Sequence, residues 1–151
     1  MNIENVMNKN IICCDINSSV QEVANTMKRY DIGWIPIHDK KKIVGIITDR
    51  DIVTQMLSNH ENSNSKIQDY MTKNIISTSI QSTLEEVLDK MSKHKIKRIL
   101  ITSNQKVEGV ISLSDILNIN YHLPKLWETF KSIYTIQSNS HMQTEIDEFY
   151  L

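Results

Sequence analysis

The chain contains its own copy. Sliding the 151-residue sequence by 64 positions lays residues 7–52 on 71–116 without a gap, and 18 of the 46 positions are identical. Lys9-Asn10-Ile11-Ile12 falls on Lys73-Asn74-Ile75-Ile76, Glu22-Val23 on Glu86-Val87, and Met27 on Met91. Gly45, Ile47 and Asp51-Ile52 close the match against Gly109, Ile111 and Asp115-Ile116. A tandem duplication constrains the fold more than any local propensity. Whatever one copy forms the other forms too, and the two must bury what each leaves open.

Each copy has the same local grammar. A short apolar strand (11–14; 75–78) precedes a helix that opens on a capping box, Ser19-x-x-Glu22 or Thr83-x-x-Glu86, in which hydroxyl and carboxylate satisfy orphan backbone donors reciprocally. Val20, Val23, Ala24 and Met27, like Leu84, Val87, Leu88 and Met91, keep helical spacing, so each helix carries one apolar stripe and its methionine is core filler. A strand (34–38; 98–102), a polar turn (39–42; 103–106), a second strand (43–48; 107–112) and a closing helix (49–57; 113–121) follow. The expected class is α+β: two β-α-β-β-α repeats packed about a pseudo-two-fold axis, plus a C-terminal helical tail. A lone unit of this size exposes one face of a three-stranded sheet, so burial demands the pairing, and the pairing leaves two symmetry-related clefts. The expected boundaries are 1–58, a linker at 59–66 rich in Asn, Ser and Glu, 67–121, and an extension at 122–151.

In that extension Leu123, Leu126, Trp127, Phe130, Ile133 and Tyr134 make one helical stripe, with Pro124 where a first turn tolerates it. The stripe is expected to fold back on its own repeats or to lie at a subunit interface. A homodimer with this helix at or beside its interface is the expected assembly, closed two-fold pairs being the commonest oligomers.

Composition narrows function mainly by exclusion. A formal charge of −1 gives no general field for nucleic acid or an acidic membrane, so neither is an expected partner. The adjacent Cys13 and Cys14 build neither a disulfide framework nor a four-ligand zinc site, and the five histidines lack metal-ligand spacing. No glycine-rich phosphate loop or nucleophile elbow is present, so no enzymatic activity, metal or required cofactor is expected. No apolar run approaches the ~20 residues of a membrane span and residues 1–10 do not read as a signal peptide, so a soluble cytoplasmic protein is expected.

The repeated ending Gly-[Ile/Val]-Ile-[Thr/Ser]-x-x-Asp-Ile, the openings Val6-Met7-Asn8 and Tyr70-Met71-Thr72, and the strand Ile32-Gly33-Trp34-Ile35-Pro36-Ile37 carry a resemblance. Over nearly four-fifths of its length the chain resembles a tandem pair of cystathionine-β-synthase (CBS) domains, a Bateman module. The resemblance implies an adenosine-containing ligand whose ribose is held by Thr48 with Asp51 and Ser112 with Asp115. Independently of family, an ionised carboxylate can accept from both ribose hydroxyls while the neighbouring hydroxyl donates or accepts. The competing reading makes Thr48 and Ser112 helix N-caps, with the aspartates three residues on facing the helix dipole.

Ile35 and Pro36 are the expected adenine wall in the first repeat, Ile99 and Leu100 in the second, with Pro36 suited to a strand edge. The resemblance also implies phosphate contacts from Lys97 and Arg98, with Arg50 as a third candidate. The first repeat has Gly33 and Trp34 where those cations stand, so one well-formed phosphate site is expected rather than two. The implied function is a stand-alone sensor of an adenine nucleotide, AMP, ADP or ATP being favoured over S-adenosylmethionine, NAD or a cyclic dinucleotide. A regulated protein partner goes with that role. The alternative is a dimerising scaffold that needs no nucleotide.

Overall fold

A computed structural model describes residues 2–59, 62–119 and 124–134. In the first repeat β1 (Cys14–Asp15) leads into α1 (Val20–Tyr30), then β2 (Trp34–Asp39) and β3 (Lys42–Thr48). A short helix α2 (Asp49–Asp51) runs straight on into a π-helical turn, Ile52–Leu57. The second repeat gives β4 (Ser77–Ser79), α3 (Leu84–His94), β5 (Arg98–Ser103), β6 (Lys106–Ser112) and α4 (Leu113–Leu117), followed by α5 (Pro124–Tyr134). Each sheet is mixed: the first strand lies parallel to the second, and the second pairs antiparallel with the third.

The duplication extends to irregular details. Ser19 and Thr83 both form the full capping box on α1 and α3. Asp31 and Lys95 end those helices in the left-handed region, φ 52° and 55°. The antiparallel ladders slip at the same point, Ile37/His38 and Ile101/Thr102. Only closely equivalent packing keeps such deviations in register across two copies.

Alternation sorts each central strand. Ile35 and Ile37 enter the core under α1, and Ile99 and Ile101 the core under α3, each without exposed surface. Pro36 and Leu100, on the opposite pleat, turn to the face where the repeats meet. The expected strand 11–14 is instead two residues long and displaced to Cys14–Asp15, and 75–78 becomes Ser77–Ser79. Ile11, Ile12, Ile75 and Ile76 are apolar because they line the clefts between repeats, not because they join a ladder. The closing helices are likewise shorter or altered: 49–57 is only partly α-helical, and 113–121 ends at Leu117 among the described residues.

The repeats are interlocked rather than stacked. The opening segment of the chain crosses to the second sheet, where Asn8 exchanges backbone hydrogen bonds with Val110 at 2.8 and 3.0 Å. Ile3 and Met7 complete the core under α3. Reciprocally, Thr72 bonds Ile46 at 2.8 and 2.9 Å, and Ile67 and Met71 complete the core under α1. Both crossings pass over a glycine. A Cβ on Gly109 would sit 2.7 Å from the Met7 sulfur, and one on Gly45 would overlap the Met71 sulfur. Both glycines have ordinary φ, so closeness of approach selects them and not backbone conformation. The stretch before the second opening is tied down too, with Val20 and Gln21 donating to the Ser65 and Ser63 carbonyls at 2.9 Å.

The tail helix folds back on its own chain. Leu126, Phe130 and Ile133 pack against the core of the second repeat. Thr129 is buried and reaches the Leu88 carbonyl, Ser132 meets Ser92 at 2.9 Å, and Lys125 pairs with Asp89 at 2.5 Å. Trp127 is 61% exposed and Tyr134 44%. Leu123, which the sequence pattern put on the stripe, lies outside the described residues.

Two outcomes follow. Gly45→Ala and Gly109→Ala each force a methionine off its glycine, at about 1–3 kcal/mol of overpacking, read as a lower urea midpoint at unchanged slope. A chain ending at residue 120 uncovers the apolar surface under α5 and loses roughly 2–4 kcal/mol, read the same way.

Candidate functional site

Two inter-repeat clefts are related by the 64-residue offset, and they are unequal. The larger, about 430 Å³, is bounded by the end of β3 and start of α2 (Thr48, Arg50, Asp51) and by the segment that leads into β5 (Ile96, Lys97, Arg98). Its mate, about 270 Å³, is bounded by Ser112 and Asp115 on one side and by Ile32 and Trp34 on the other. Each cleft therefore takes its hydroxyl and carboxylate from one repeat and its opposite wall from the other.

The Thr48–Asp51 pair has a fixed geometry. Thr48 donates from its backbone N–H (2.9 Å) and its hydroxyl (2.7 Å) to Asp51 Oδ2, and the Asp51 N–H donates back to Thr48 Oγ1 at 3.2 Å. Asp51 Oδ1 accepts only a longer bond from Gln55, 3.3 Å. In the second repeat Ser112 donates to Asp115 Oδ2 from its N–H at 2.8 Å and its hydroxyl at 2.6 Å, with the return bond at 3.1 Å. Both pairs are complete capping boxes, so the cap reading of these residues holds as a description of the fold. The cap does not exhaust them. It engages one carboxylate oxygen in each pair and leaves the side chains half-buried at a cleft wall.

Cations are concentrated on the larger cleft. Arg50, Lys95, Lys97 and Arg98 line it, against the carboxylates of Asp49 and Asp51, whereas among the described residues Arg98 is the only cation lining its mate. The offset explains this, because Trp34 occupies in the first repeat the position of Arg98 in the second. Lys97 and Arg98 thus face the first repeat's Thr48 and Asp51, a pairing that sequence position does not reveal. Lys95, which the sequence reading missed, also lines the cleft; its left-handed cap position carries it there. Two of these cations touch the tail helix, Lys97 lying 4.2 Å over the Tyr134 ring and Lys95 donating to the Ser132 carbonyl at 2.6 Å.

The expected adenine walls are placed differently. Ile35 and Ile99 have no exposed surface and serve the two cores. Pro36 is buried on the central strand of its sheet, beyond the stretch that the short β1 pairs, which is how a residue without an N–H is tolerated there. Leu100 lines a different cleft at the other end of the strands. The pleat decides this outcome, since odd-numbered residues of β2 and β5 point to the helices. Apolar surface in the larger cleft comes instead from Trp34, Ile46, Ile76 and Ile96. The pair of alternate isoleucines in each strand could have revealed the core face, Ile35-Ile37 and Ile99-Ile101 being the buried set.

Among the described residues no cluster of three His, Cys, Asp or Glu could hold a metal ion, and no helix is long and apolar enough to cross a membrane.

Comparison with known proteins fits this arrangement. The family model for the CBS domain matches residues 3–58 and again 67–121. The protein YlbB of Bacillus subtilis (strain 168) is 34% identical over 116 residues, spanning 76% of this chain and 78% of that one. A conserved protein from Pyrococcus horikoshii has a solved structure that superposes with a TM-score of 0.73 at 31% identity, over 81% of this chain and 94% of the other. The CBS domain pair of protein MJ0100, solved with 5-methylthioadenosine and S-adenosyl-L-methionine, gives 0.70 at 28% identity over 79% and 98%.

The caps make a local prediction. Thr48→Ala and Ser112→Ala each remove the hydroxyl that satisfies a helix-start N–H and cost about 1 kcal/mol. Thr48→Ser, which copies the other repeat, stays near the parent in the same denaturation assay.

Proposed function

Since the chain belongs to the CBS-domain family and carries two copies in tandem, we propose that it is a regulatory module whose larger cleft binds an adenine nucleotide. One observation carries the reading. A half-buried hydroxyl–carboxylate pair from one repeat, Thr48 and Asp51, faces Lys97 and Arg98 from the other across a cleft of about 430 Å³. A volume of that order is typical of small-molecule sites. Asp51 accepts from the ribose hydroxyls through the oxygen that the cap leaves over. The base lies against Trp34, Ile46, Ile76 and Ile96, and the phosphates meet Lys97, Arg98 and Arg50.

The MJ0100 domain pair was solved with two adenosine compounds, which supports the ligand class. The cations favour AMP, ADP or ATP within it, since arginine forks onto phosphate oxygens and lysine supplies a point charge. The Ser112–Asp115 cleft, smaller and with Arg98 as its one cation among the described residues, binds an adenosine compound more weakly. The module acts by passing its ligand state to a protein partner and not by catalysis. It works as a homodimer, for which exposed apolar side chains on the first repeat's helices (Tyr30, Val53, Leu57) and on the tail helix (Trp127, Tyr134) offer surface.

A thermal-shift panel of adenosine compounds tests this. At 100 times the dissociation constant a ligand adds about 2.7 kcal/mol of stability, so AMP, ADP or ATP raises the melting temperature well above adenosine alone. No shift at millimolar concentration overturns the sensor and leaves a nucleotide-independent scaffold. Asp51→Asn, which retains an acceptor for the cap, weakens nucleotide binding tenfold or more, since hydrogen bonds to charged groups contribute about 1.5–3 kcal/mol. Asp115→Asn changes it far less.

A further inference from the structure

A third inter-repeat cleft opens at the opposite ends of the strands, where the β2–β3 and β5–β6 hairpins turn. At about 570 Å³ it is larger than either nucleotide cleft, and it shares no lining residue with the larger of them. It lies on the pseudo-two-fold axis: Ile11 and Ile75, Lys42 and Lys106, and Ile43 and Val107 are pairs at the 64-residue offset, and all six line it. The isoleucines, with Leu100, give an apolar floor.

Its charge is one-sided. Lys9, Lys41, Lys42 and Lys106 line the cleft and, among the described residues, no Asp or Glu does, in a chain that has 17 basic and 18 acidic residues. Lys9 is partly neutralised by Glu4, 3.2 Å away. Lys41, Lys42 and Lys106 make no ion pair among the described residues. Next to Lys106, Asn104 and Gln105 hold the turn at φ 46° and 64° and put two side-chain amides at the same mouth. Like charges held around an apolar floor repel one another, and an anion that bridges them relieves the repulsion. Lysine binds phosphate as a point charge, and several lysines converging on one cleft suit an anion of multiple charge.

We infer that this axial cleft is a second ligand site, for a small molecule carrying two or more phosphate groups and an apolar part. It stands on its own residues and does not depend on nucleotide binding in the larger cleft. A ligand there clamps Lys42 to Lys106, the first residues of β3 and β6, whose far ends are Thr48 and Ser112.

Inorganic tripolyphosphate serves as the probe of the charge, titrated calorimetrically into the full chain at low salt. Cys13, half-buried in the cleft wall, locates the binding through its rate of alkylation by a maleimide. Burial and the neighbouring Cys14 hold its thiol above the usual range, which keeps alkylation slow enough to time. The Lys97→Ala/Arg98→Ala protein is expected to keep a tripolyphosphate site and to show Cys13 protected by the probe. The Lys42→Ala/Lys106→Ala protein, altered only at exposed side chains, is expected to bind at least tenfold more weakly at that site and to lose the protection, at an unchanged melting temperature. Its thermal shift with AMP, which carries a single phosphate, is expected to match the parent's, so a failure of the nucleotide reading and a failure here give different patterns. Absence of tripolyphosphate binding, binding that vanishes with Lys97 and Arg98 alone, or Cys13 unprotected in the bound parent each overturns the axial site.

Discussion

Two methionines lying on two glycines hold this molecule together. Met7 crosses over Gly109 and Met71 over Gly45, and each crossing is fastened by a pair of backbone hydrogen bonds, Asn8 with Val110 and Thr72 with Ile46. The contact works because glycine lets one backbone approach another and because the unbranched thioether fills the irregular gap left above it. Each repeat thereby completes the other's core, Ile3 and Met7 serving α3, and Ile67 and Met71 serving α1. Neither core is whole without residues from the other repeat, so the sheets meet at a fixed angle and distance and the clefts between them have defined walls.

The hydroxyl–carboxylate pairs show one group of atoms serving stability and binding together. Thr48 and Asp51 start a helix by satisfying its first donors, and the same bonds lock the Asp51 rotamer. A carboxylate fixed in this way loses little freedom when a ligand arrives, which is what preorganisation requires. The cap explains why such a short helix, Asp49–Asp51 before its π-helical continuation, starts at all. It also explains why the residues stand at a cleft, because a cap marks the end of a strand, where the sheet stops and a gap begins.

Duplication followed by divergence accounts for the asymmetry. The backbones agree down to the bulges and the left-handed caps, yet Gly33-Trp34 stands in one copy where Lys97-Arg98 stands in the other. The interlock sends each wall across the axis, so these two differences enrich one cleft in charge, while the Trp34 indole borders both. The tail helix adds a second asymmetry by covering only α3 and contacting Lys95 and Lys97 from behind.

The sequence by itself determined the repeat, the element order, the capping boxes and the α+β class, because each of these depends on spacing along the chain, and spacing is visible in the letters. It also determined that the hydroxyls and carboxylates recur as Thr48–Asp51 and Ser112–Asp115. It misjudged Ile35 and Ile99 as cleft walls, since an apolar strand residue reads the same on either pleat until the partner surface is known. The apolar runs at 11–12 and 75–76 read as strands for a related reason: burial, not ladder pairing, selected those side chains. Only the tertiary structure decided which repeat's cations face which repeat's carboxylate, that the tail stripe closes on α3, and that the hairpin lysines converge on the axis. Those facts depend on chain crossings between segments some 60 residues apart, which local spacing does not encode.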